Sequence, residues 1–331
     1  TQESMKSSRD YVVLLYETLL GRAPDPEGLA HHTEVLEQTG DLRLIVDALI
    51  DSEEYASRHV VPTVSTQSRD LGRSLVIVDV GAQKLDSEDH AYSSLLNSGC
   101  EWRCIGFEPL EHRRADRLAN EPDNRLTILD AFVGDGDRHT FRMANDDGSS
   151  SLLAFNEMFI RDYEHICTLK TEAEEEVQTV TLDKLLEREH VVDFLKLDIQ
   201  GFESRVLAHA SETLKRTNVI HCECLFGPMY VDQGYFSEID DTLRSAGFEF
   251  IDFTYLARYR YVAVPHPSTV GERLLWADAV YFRKLDPACD RRSSFMAQSL
   301  IAETIYRKPG LAQQIRRHAE AAAVERCARN I

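Results

Sequence analysis

VVDFLKLDIQGFESRVL, at residues 191–207, has the pattern of a short buried strand, a tight turn and the start of a helix. Its apolar first half predicts a strand that ends at Asp198, and Gly201 permits a sharp turn before apolar residues return at helical spacing. In open α/β sheets, ligands bind beyond the carboxyl ends of the strands. Asp198, Gln200 and Glu203 therefore stand where a site can form, although Asp198 can equally well cap the turn or the helix.

The bulk composition limits the classes of partner. A length of 331 residues predicts two domains, and 43% hydrophobic with 28% charged residues is typical of a globular protein. The net charge of −19 argues against nucleic acid, which proteins bind mainly through Lys and Arg, and against anionic membrane surfaces. It suits a neutral or a cationic substrate. No run approaches the roughly 18 apolar residues of a membrane helix, so we expect no membrane span.

The cysteine pattern bears on compartment and metal binding. Seven cysteines occur, with no CxxC pair and no zinc-finger spacing. This predicts free thiols in a reducing environment, and the polar first residues do not have the pattern of a secretory leader, so we expect a cytoplasmic protein. HExxH, P-loop and GxSxG motifs are missing from the sequence, and we expect no essential metal.

The first 60 residues predict a small all-helical module. A helix ends at Gly21, and Asp25 with Pro26 has the pattern of a cap and first turn of the next helix. LYETLLGRAPDPEG at residues 15–28, with SEEY at 52–55 capping a fourth helix, resembles a small helical domain of bacterial surface and glycan-processing proteins. It is also similar to phycobilisome linker modules. Residues 61–74 then predict a linker, since proline, serine and glycine recur there.

From residue 75 onward, strands and helices alternate, which predicts an α/β domain with a largely parallel, doubly wound, Rossmann-like sheet. The predicted strands are 75–78, 104–107, 126–129, 192–197, 219–224, 248–254 and 277–283, with 139–143 as an added edge strand. The predicted helices are 87–97, 111–119 and 235–245, and two more in a basic tail, 290–331, broken at Pro309-Gly310. That tail either docks on the acidic body or contacts another subunit or an anionic glycan.

Acidic residues close three successive predicted strands, namely Asp79, Glu108 and Asp130. A carboxylate after a second strand can accept both hydroxyls of a ribose. Gly81 is not followed by the further glycines of a G-x-G-x-x-G pyrophosphate cradle. An adenosine cofactor without phosphates, S-adenosylmethionine, is therefore favoured, although the three acids can also be mere caps in solvated loops.

Together, several segments resemble the FkbM-type methyltransferases, which use S-adenosylmethionine. The matching pieces are VIVDVGA at 76–82, IGFEP at 105–109, DAFVGDG at 130–136, SSSL at 149–152, TVTLD at 179–183, DFLKLDIQGFE at 193–203 and WADAVYF at 276–282. The resemblance spans about residues 75–284 and places the domain at 75–289. It implies a Rossmann-like sheet with an antiparallel strand near its end, and methyl transfer to a hydroxyl of a sugar, a glycan or a glycosylated natural product.

The resemblance also implies roles for individual residues. The residues expected to bind the cofactor are Asp79, Gly81, Ala82, Glu108, Pro109, Asp130 and Ala131. Of these, Asp79 and Gly81 are expected at the methionine end, Glu108 at the ribose, and Asp130 with Ala131 near the adenine. Asp198 is expected beside the methyl group.

One departure from the family pattern lies in the first turn. The family's first turn has the sequence D-x-G-A-N-x-G. This chain has Gln83 in place of the Asn and a longer polar loop at 84–90 in place of the last glycine. Glu88 or His90 can replace a lost contact. Alternatively, the domain keeps the fold without turnover and serves as a glycan-associated interaction or assembly module.

A sugar hydroxyl is a poor nucleophile, so we expect a general base near a strand end. Asp198 is the first candidate, Glu223 the second, and His221 shares a face with Glu223, although it can also be a satisfied core histidine. Lys196 lies inside a strand and is expected to pair with a carboxylate. Gln200, Glu203 and Tyr230 are expected to contact the substrate. Self-association through the N-terminal module or the C-terminal tail is a further possibility.

Overall fold

Strands and helices alternate over most of the chain in the computed structural model. The residues that it describes are 7–50, 52, 71–83, 90–96, 98–120, 123–262, 271–285 and 292–329. The chain divides into two compact units, Thr1–Ser65 and Thr66–Ile331. No helix among the described residues is long and apolar enough to cross a membrane.

The first unit contains the helices α1 (Ser8–Leu20), α2 (Pro26–Thr39) and α3 (Leu42–Ile50). Gly21 ends α1 with a left-handed backbone, and the Asp25 side chain accepts the Gly28 N–H at 2.8 Å to begin α2, as the sequence predicted. The small core is formed by Val12, Tyr16, Leu20, Leu36, Ile45 and Leu49. The predicted fourth helix and most of the predicted linker at 61–74 lie outside the described residues.

The second unit is built on one large sheet and a hairpin. Its strands are β1 (Leu75–Val80), β2 (Trp102–Phe107), β3 (Leu126–Leu129), β4 (Arg138–Ala144), β5 (Thr171–Gln178), β6 (Val192–Leu197), β7 (Thr217–Leu225), β8 (Phe248–Tyr259) and β9 (Arg273–Arg283). The large sheet has the order β3-β2-β1-β6-β7-β9-β8. Among the described strands of this sheet, β9 alone runs opposite to the other six, which confirms a mostly parallel α/β sheet with one antiparallel strand.

Helices lie between these strands and after the last of them. They are α4 (Ser93–Leu96), α5 (Glu111–Asn120), α6 (Glu157–Ile160), α7 (Leu182–Leu185), α8 (Glu203–Ala208), α9 (Ser211–Lys215), α10 (Phe236–Ser245), α11 (Arg292–Thr304) and α12 (Pro309–Arg329). The helix expected at 87–97 forms only as α4, since the described residues 90–92 before it are not helical; 84–89 and 97 lie outside the described residues. Pro309 begins α12 rather than breaking a helix, since its fixed backbone angle suits the first helical turn.

The predicted edge strand at 139–143 forms, but not at an edge of the large sheet. As β4 it pairs with β5 in a separate two-stranded antiparallel sheet. Phe141 on β4 and Val177 on β5 are buried against the core of the large sheet, while the glutamates between 172 and 176 face water. The expectation was therefore wrong about the sheet to which this strand belongs, because β5, which follows later in the chain, supplies its backbone hydrogen bonds.

The register of the central strands brings their carboxyl ends to one level. Val80 at the end of β1 lies beside Phe107 on β2 and Leu197 on β6. All six residues of β1 are buried, as expected for a central parallel strand covered on both faces. The residues that follow these strands therefore meet at one edge of the sheet, where ligands bind in open α/β folds.

Candidate active site

A cavity of about 560 Å³ opens at this edge, within the usual range of small-molecule sites. Many of the predicted site residues line it, namely Gly81, Glu108, Pro109, Ala131, Asp198, Gln200, His221 and Glu223. The other predicted residues, Asp79, Ala82, Asp130, Glu203 and Tyr230, are not part of its lining. The structure thus brings most of the expected residues together and places the remainder behind or beside the wall.

Gly81 occupies the point where the ends of β1 and β6 come closest. Its φ is +79°, and a Cβ added there would lie 1.9 Å from the carbonyl oxygen of Asp198. The Asp198 N–H in turn donates to the Val80 carbonyl at 3.1 Å. Only glycine fits this junction, since other residues would collide with the β6 backbone and disfavour the positive φ. Ala82 is fully buried behind the junction.

Asp79 lies at the centre of a buried ionic cluster beneath the cavity. The Asp79 carboxylate accepts hydrogen bonds from Arg117 at 2.8 Å and from the Tyr92 hydroxyl at 2.6 Å. The Lys196 ammonium lies 3.6 Å from the same carboxylate. Burial alone would raise the pKa of Asp79, but Lys196 and Arg117 outweigh it and lower the pKa below its usual range. Asp79 therefore remains ionised and supports the wall from behind.

Lys196 joins this cluster to the cavity. Its ammonium lies 3.2 Å from the Asp198 carboxylate, so the expected partner of the buried lysine is confirmed. Burial would lower the pKa of Lys196, but Asp198 and Asp79 outweigh it and raise the pKa. The charged lysine holds Asp198 at the end of β6, with 39% of the Asp198 side chain exposed.

Gln200 connects two carboxyl groups at the cavity. Its amide nitrogen donates to Asp198 at 3.1 Å and to Glu223 at 3.2 Å, while its amide oxygen accepts the Tyr230 hydroxyl at 2.8 Å. Gln200 has a φ of +59°, a conformation that costs about 1–2 kcal/mol for a residue with a Cβ. Tyr230, which is buried, thus fixes which end of the amide faces the two carboxyl groups.

Glu223 is only 5% exposed, yet it lines the cavity. Burial raises the pKa of Glu223 well above its usual range, and the neighbouring charges of Asp198 and Glu203 add to this effect. A carboxyl group with a raised pKa is a stronger base once ionised, so this residue is suited to proton transfer.

Glu203 serves the turn that follows β6. Its two carboxylate oxygens accept the backbone N–H groups of Ile199 at 2.7 Å and Gly201 at 2.9 Å. Burial raises the pKa of Glu203 to about 7. Because the carboxylate points back into the turn, its position favours a structural role over contact with a substrate.

His221 lines the cavity beside Glu223 and contacts a residue from the C-terminal segment. Its Nδ1 lies 3.3 Å from the Tyr306 hydroxyl, and the two rings stack at 6.3 Å. Its Nε2 lies 3.7 Å from the Asp278 carboxylate on β9. Tyr306 and Asp278 also line the cavity, and the sequence had identified neither. Tyr306 follows His221 by 85 positions, so no local signal could pair them.

The end of β2 forms the opposite side of the cavity. One oxygen of Glu108 accepts the Leu110 N–H at 2.9 Å, and burial raises the pKa of Glu108. Asp130 is exposed, pairs with Arg114 at 3.2 Å and is not part of the cavity lining. Gln83, at the departure from the family pattern, accepts a hydrogen bond from Arg113, and both line the cavity.

Two residues proposed to compensate for this departure have different outcomes. His90 lines the cavity, and Glu88 lies outside the described residues. Among the residues that the structure describes, no group of three or more His, Cys, Asp or Glu side chains could hold a metal ion.

Two family models match the sequence. One, described as "Methyltransferase FkbM domain", matches residues 79–250. The other, described as "Domain of unknown function (DUF4214)", matches residues 2–59. No curated protein matches the sequence significantly.

Solved methyltransferase structures are similar at low identity. Magnesium protoporphyrin IX methyltransferase from Synechocystis PCC 6803 with bound SAM is 12% identical, with 86% of this chain and 100% of that chain covered and a TM-score of 0.32. Methyltransferase FkbM from Methylobacillus flagellatus KT is 15% identical, with 82% and 59% covered and a TM-score of 0.35. These scores are too low to add to the fold assignment, which rests on the strand order itself.

Proposed function

The chain belongs to the FkbM methyltransferase family, whose model matches more than half of it, and from that premise we propose an O-methyltransferase. Its cofactor is S-adenosylmethionine, and its proposed acceptor is a hydroxyl group of a sugar, a glycan or a glycosylated natural product. The observation that carries the proposal is the pair of carboxyl groups, Asp198 and Glu223, held side by side in the cavity by Gln200.

The side of the cavity near β2 fits the adenosine part of the cofactor. The Glu108 carboxylate lines the cavity and can accept the two ribose hydroxyls. Pro109, Ala131 and Phe132 give an apolar wall for the adenine, and Gly81 allows the backbone to approach the methionine end. When bound, S-adenosylmethionine supplies a methyl group that its sulfonium makes electrophilic.

Glu223 is the proposed general base. A neutral amine can attack through its own lone pair, whereas a hydroxyl must lose a proton as it attacks, so a base in the cavity favours oxygen as the acceptor atom. Asp198 is already engaged by Lys196 at 3.2 Å and by Gln200 at 3.1 Å. We assign Asp198 to orienting the acceptor hydroxyl and Glu223 to accepting its proton, a role worth roughly 10²–10⁴-fold in rate.

His221, Gln200 and aromatic side chains surround the proposed acceptor position. Trp276 and Tyr259 line the cavity on this side, and their ring faces suit the C–H faces of a sugar. The Nδ1 of His221 faces the Tyr306 hydroxyl, whereas its Nε2 lies 3.7 Å from Asp278, too far for a hydrogen bond, and is left to bind a second hydroxyl of the acceptor.

Methyl transfer from radiolabelled S-adenosylmethionine to a panel of sugars, glycosides and matched amines tests the proposal. We expect O-methylated product from at least one hydroxyl acceptor, and loss of the product in Glu223→Gln. Transfer only to amines, or transfer that Glu223→Gln leaves unchanged, would contradict it.

A second function is motivated by the first turn, where Gln83 binds Arg113 in place of the family's asparagine. A domain that no longer turns over would serve as a glycan-associated assembly module. Saturable glycan binding without any methylated product after prolonged incubation would favour this alternative.

A further inference from the structure

A second depression, of about 290 Å³, lies beside the proposed acceptor position. Tyr259, the last residue of β8, lines both the large cavity and this depression. The two are therefore adjoining parts of one surface. Tyr255, Arg258 and Arg260 also line the depression, and none of them lines the cavity.

A continuous aromatic surface connects the two. Trp276 lines the cavity together with Tyr259. Tyr255 packs over Trp276 with ring centroids 5.0 Å apart and keeps 53% of its surface exposed. An aromatic ring that is exposed to this extent next to a cavity is available to a ligand that extends out of it.

The depression has a fixed frame. The Glu164 N–H donates to the Arg260 carbonyl at 3.0 Å, and the two side chains form an ion pair at 2.5 Å. On the other side, a Cβ added to Gly271, which precedes β9, would lie 2.1 Å from the Arg258 carbonyl oxygen, so the chain passes β8 there as closely as glycine allows. These contacts pre-organise the site, which lowers the entropic cost of binding.

We propose that this depression is a subsite for the neighbouring sugar unit, so that the acceptor is an oligosaccharide or a longer glycan. This rests on the proposed function at the cavity. Tyrosine ring faces suit the C–H faces of a sugar, and the Glu164 and Arg260 side chains beside them suit its hydroxyls. A lipid chain would leave these charged groups without water, and a net charge of −19 disfavours a polyanion.

A glycan array of neutral monosaccharides to pentasaccharides, probed with the full chain in saturating S-adenosylhomocysteine, tests the proposal. We expect binding to require at least two linked sugars. Tyr255→Ala should weaken the interaction with the bound glycan about tenfold, the loss of one exposed aromatic contact. Leu256→Ala is the matched control, since Leu256 is the 45% exposed neighbour on β8 that lines neither cavity nor depression.

The outcomes separate this inference from the proposed function. Equal binding of monosaccharides and longer glycans, or equal losses in the two variants, overturns the subsite. If a bound monosaccharide is then methylated, the proposed O-methyltransferase activity survives without it. Absence of binding to every glycan overturns both.

Discussion

The junction between β1 and β6 gives the sharpest structural prediction, the cost of Gly81→Ala. The new Cβ would lie 1.9 Å from the Asp198 carbonyl oxygen, more than about 1 Å inside the closest separation seen for real Cβ atoms. Over-packing of this kind costs about 1–3 kcal/mol, and the positive φ adds about 1–2 kcal/mol. A total of about 2–5 kcal/mol is a large part of the 5–15 kcal/mol that usually stabilises a fold.

Gly99→Ala separates the cost of the steric collision from the cost of placing alanine at a positive φ. Gly99 has a φ of +77°, close to the +79° of Gly81, but no heavy atom lies within 4 Å of a Cβ placed there. We therefore expect Gly99→Ala to cost only the backbone term, about 1–2 kcal/mol. The difference between the two variants should be about 1–3 kcal/mol.

Urea unfolding followed by tryptophan fluorescence measures both variants. The chain has two tryptophans, Trp102 and Trp276, and both lie in the α/β unit, so the signal reports the unfolding of that unit. Equal free energies of unfolding for Gly81→Ala and Gly99→Ala would refute the close approach of β1 and β6. Because a Cβ at this position would also block the close approach of the backbone to the methionine end of the cofactor, Gly81→Ala should abolish binding of S-adenosylhomocysteine.

Two further predictions concern pH. Since burial raises the pKa of Glu223, kcat/KM should rise as the pH increases above the ordinary range of a glutamate. Glu223→Gln should lower kcat by roughly 10²–10⁴-fold and remove this rise. An unchanged pH profile in the variant would exclude Glu223 as the base. Because burial raises the pKa of Glu203 from 4.5 to about 7, its contribution to stability is complete below pH 4.5 and is lost as the pH rises through 7. Urea midpoints between about pH 5 and 8 should therefore fall less steeply in Glu203→Gln than in the wild type, and parallel slopes would contradict the raised pKa.

The sequence predicts the strands of the sheet and the side of it that carries the site. Apolar runs that end in an acidic residue identify the ends of β2 and β6, and parallel strands bring those ends together. The pairing of Lys196 with a carboxylate also follows from local reasoning, because a lysine within a buried strand must find an opposite charge.

What sequence reasoning misses depends on contacts between distant segments. Arg117 on α5 is only 1% exposed and pairs with Asp79, and nothing in the polar sequence around it marks this arginine as buried. The Asp79 carboxylate, which the resemblance places at the methionine end of the cofactor, is thus paired with Arg117. Strand β5 is missed because glutamate, which dominates its sequence, is uncommon in strands. The strand forms by pairing with β4, about 30 residues earlier in the chain.

Calorimetric titration of S-adenosylhomocysteine into the wild type, Glu108→Gln and Asp130→Asn tests the central claim most directly. We predict one site per chain in the wild type with a dissociation constant below about 1 mM. Loss of a hydrogen bond to a charged group should weaken binding about 10- to 150-fold in Glu108→Gln. Asp130→Asn, which changes a carboxylate at the neighbouring strand end outside the cavity, should leave the affinity within about twofold of the wild type. Absence of binding to the wild type, or equal losses in the two variants, would contradict an adenosine site at the end of β2.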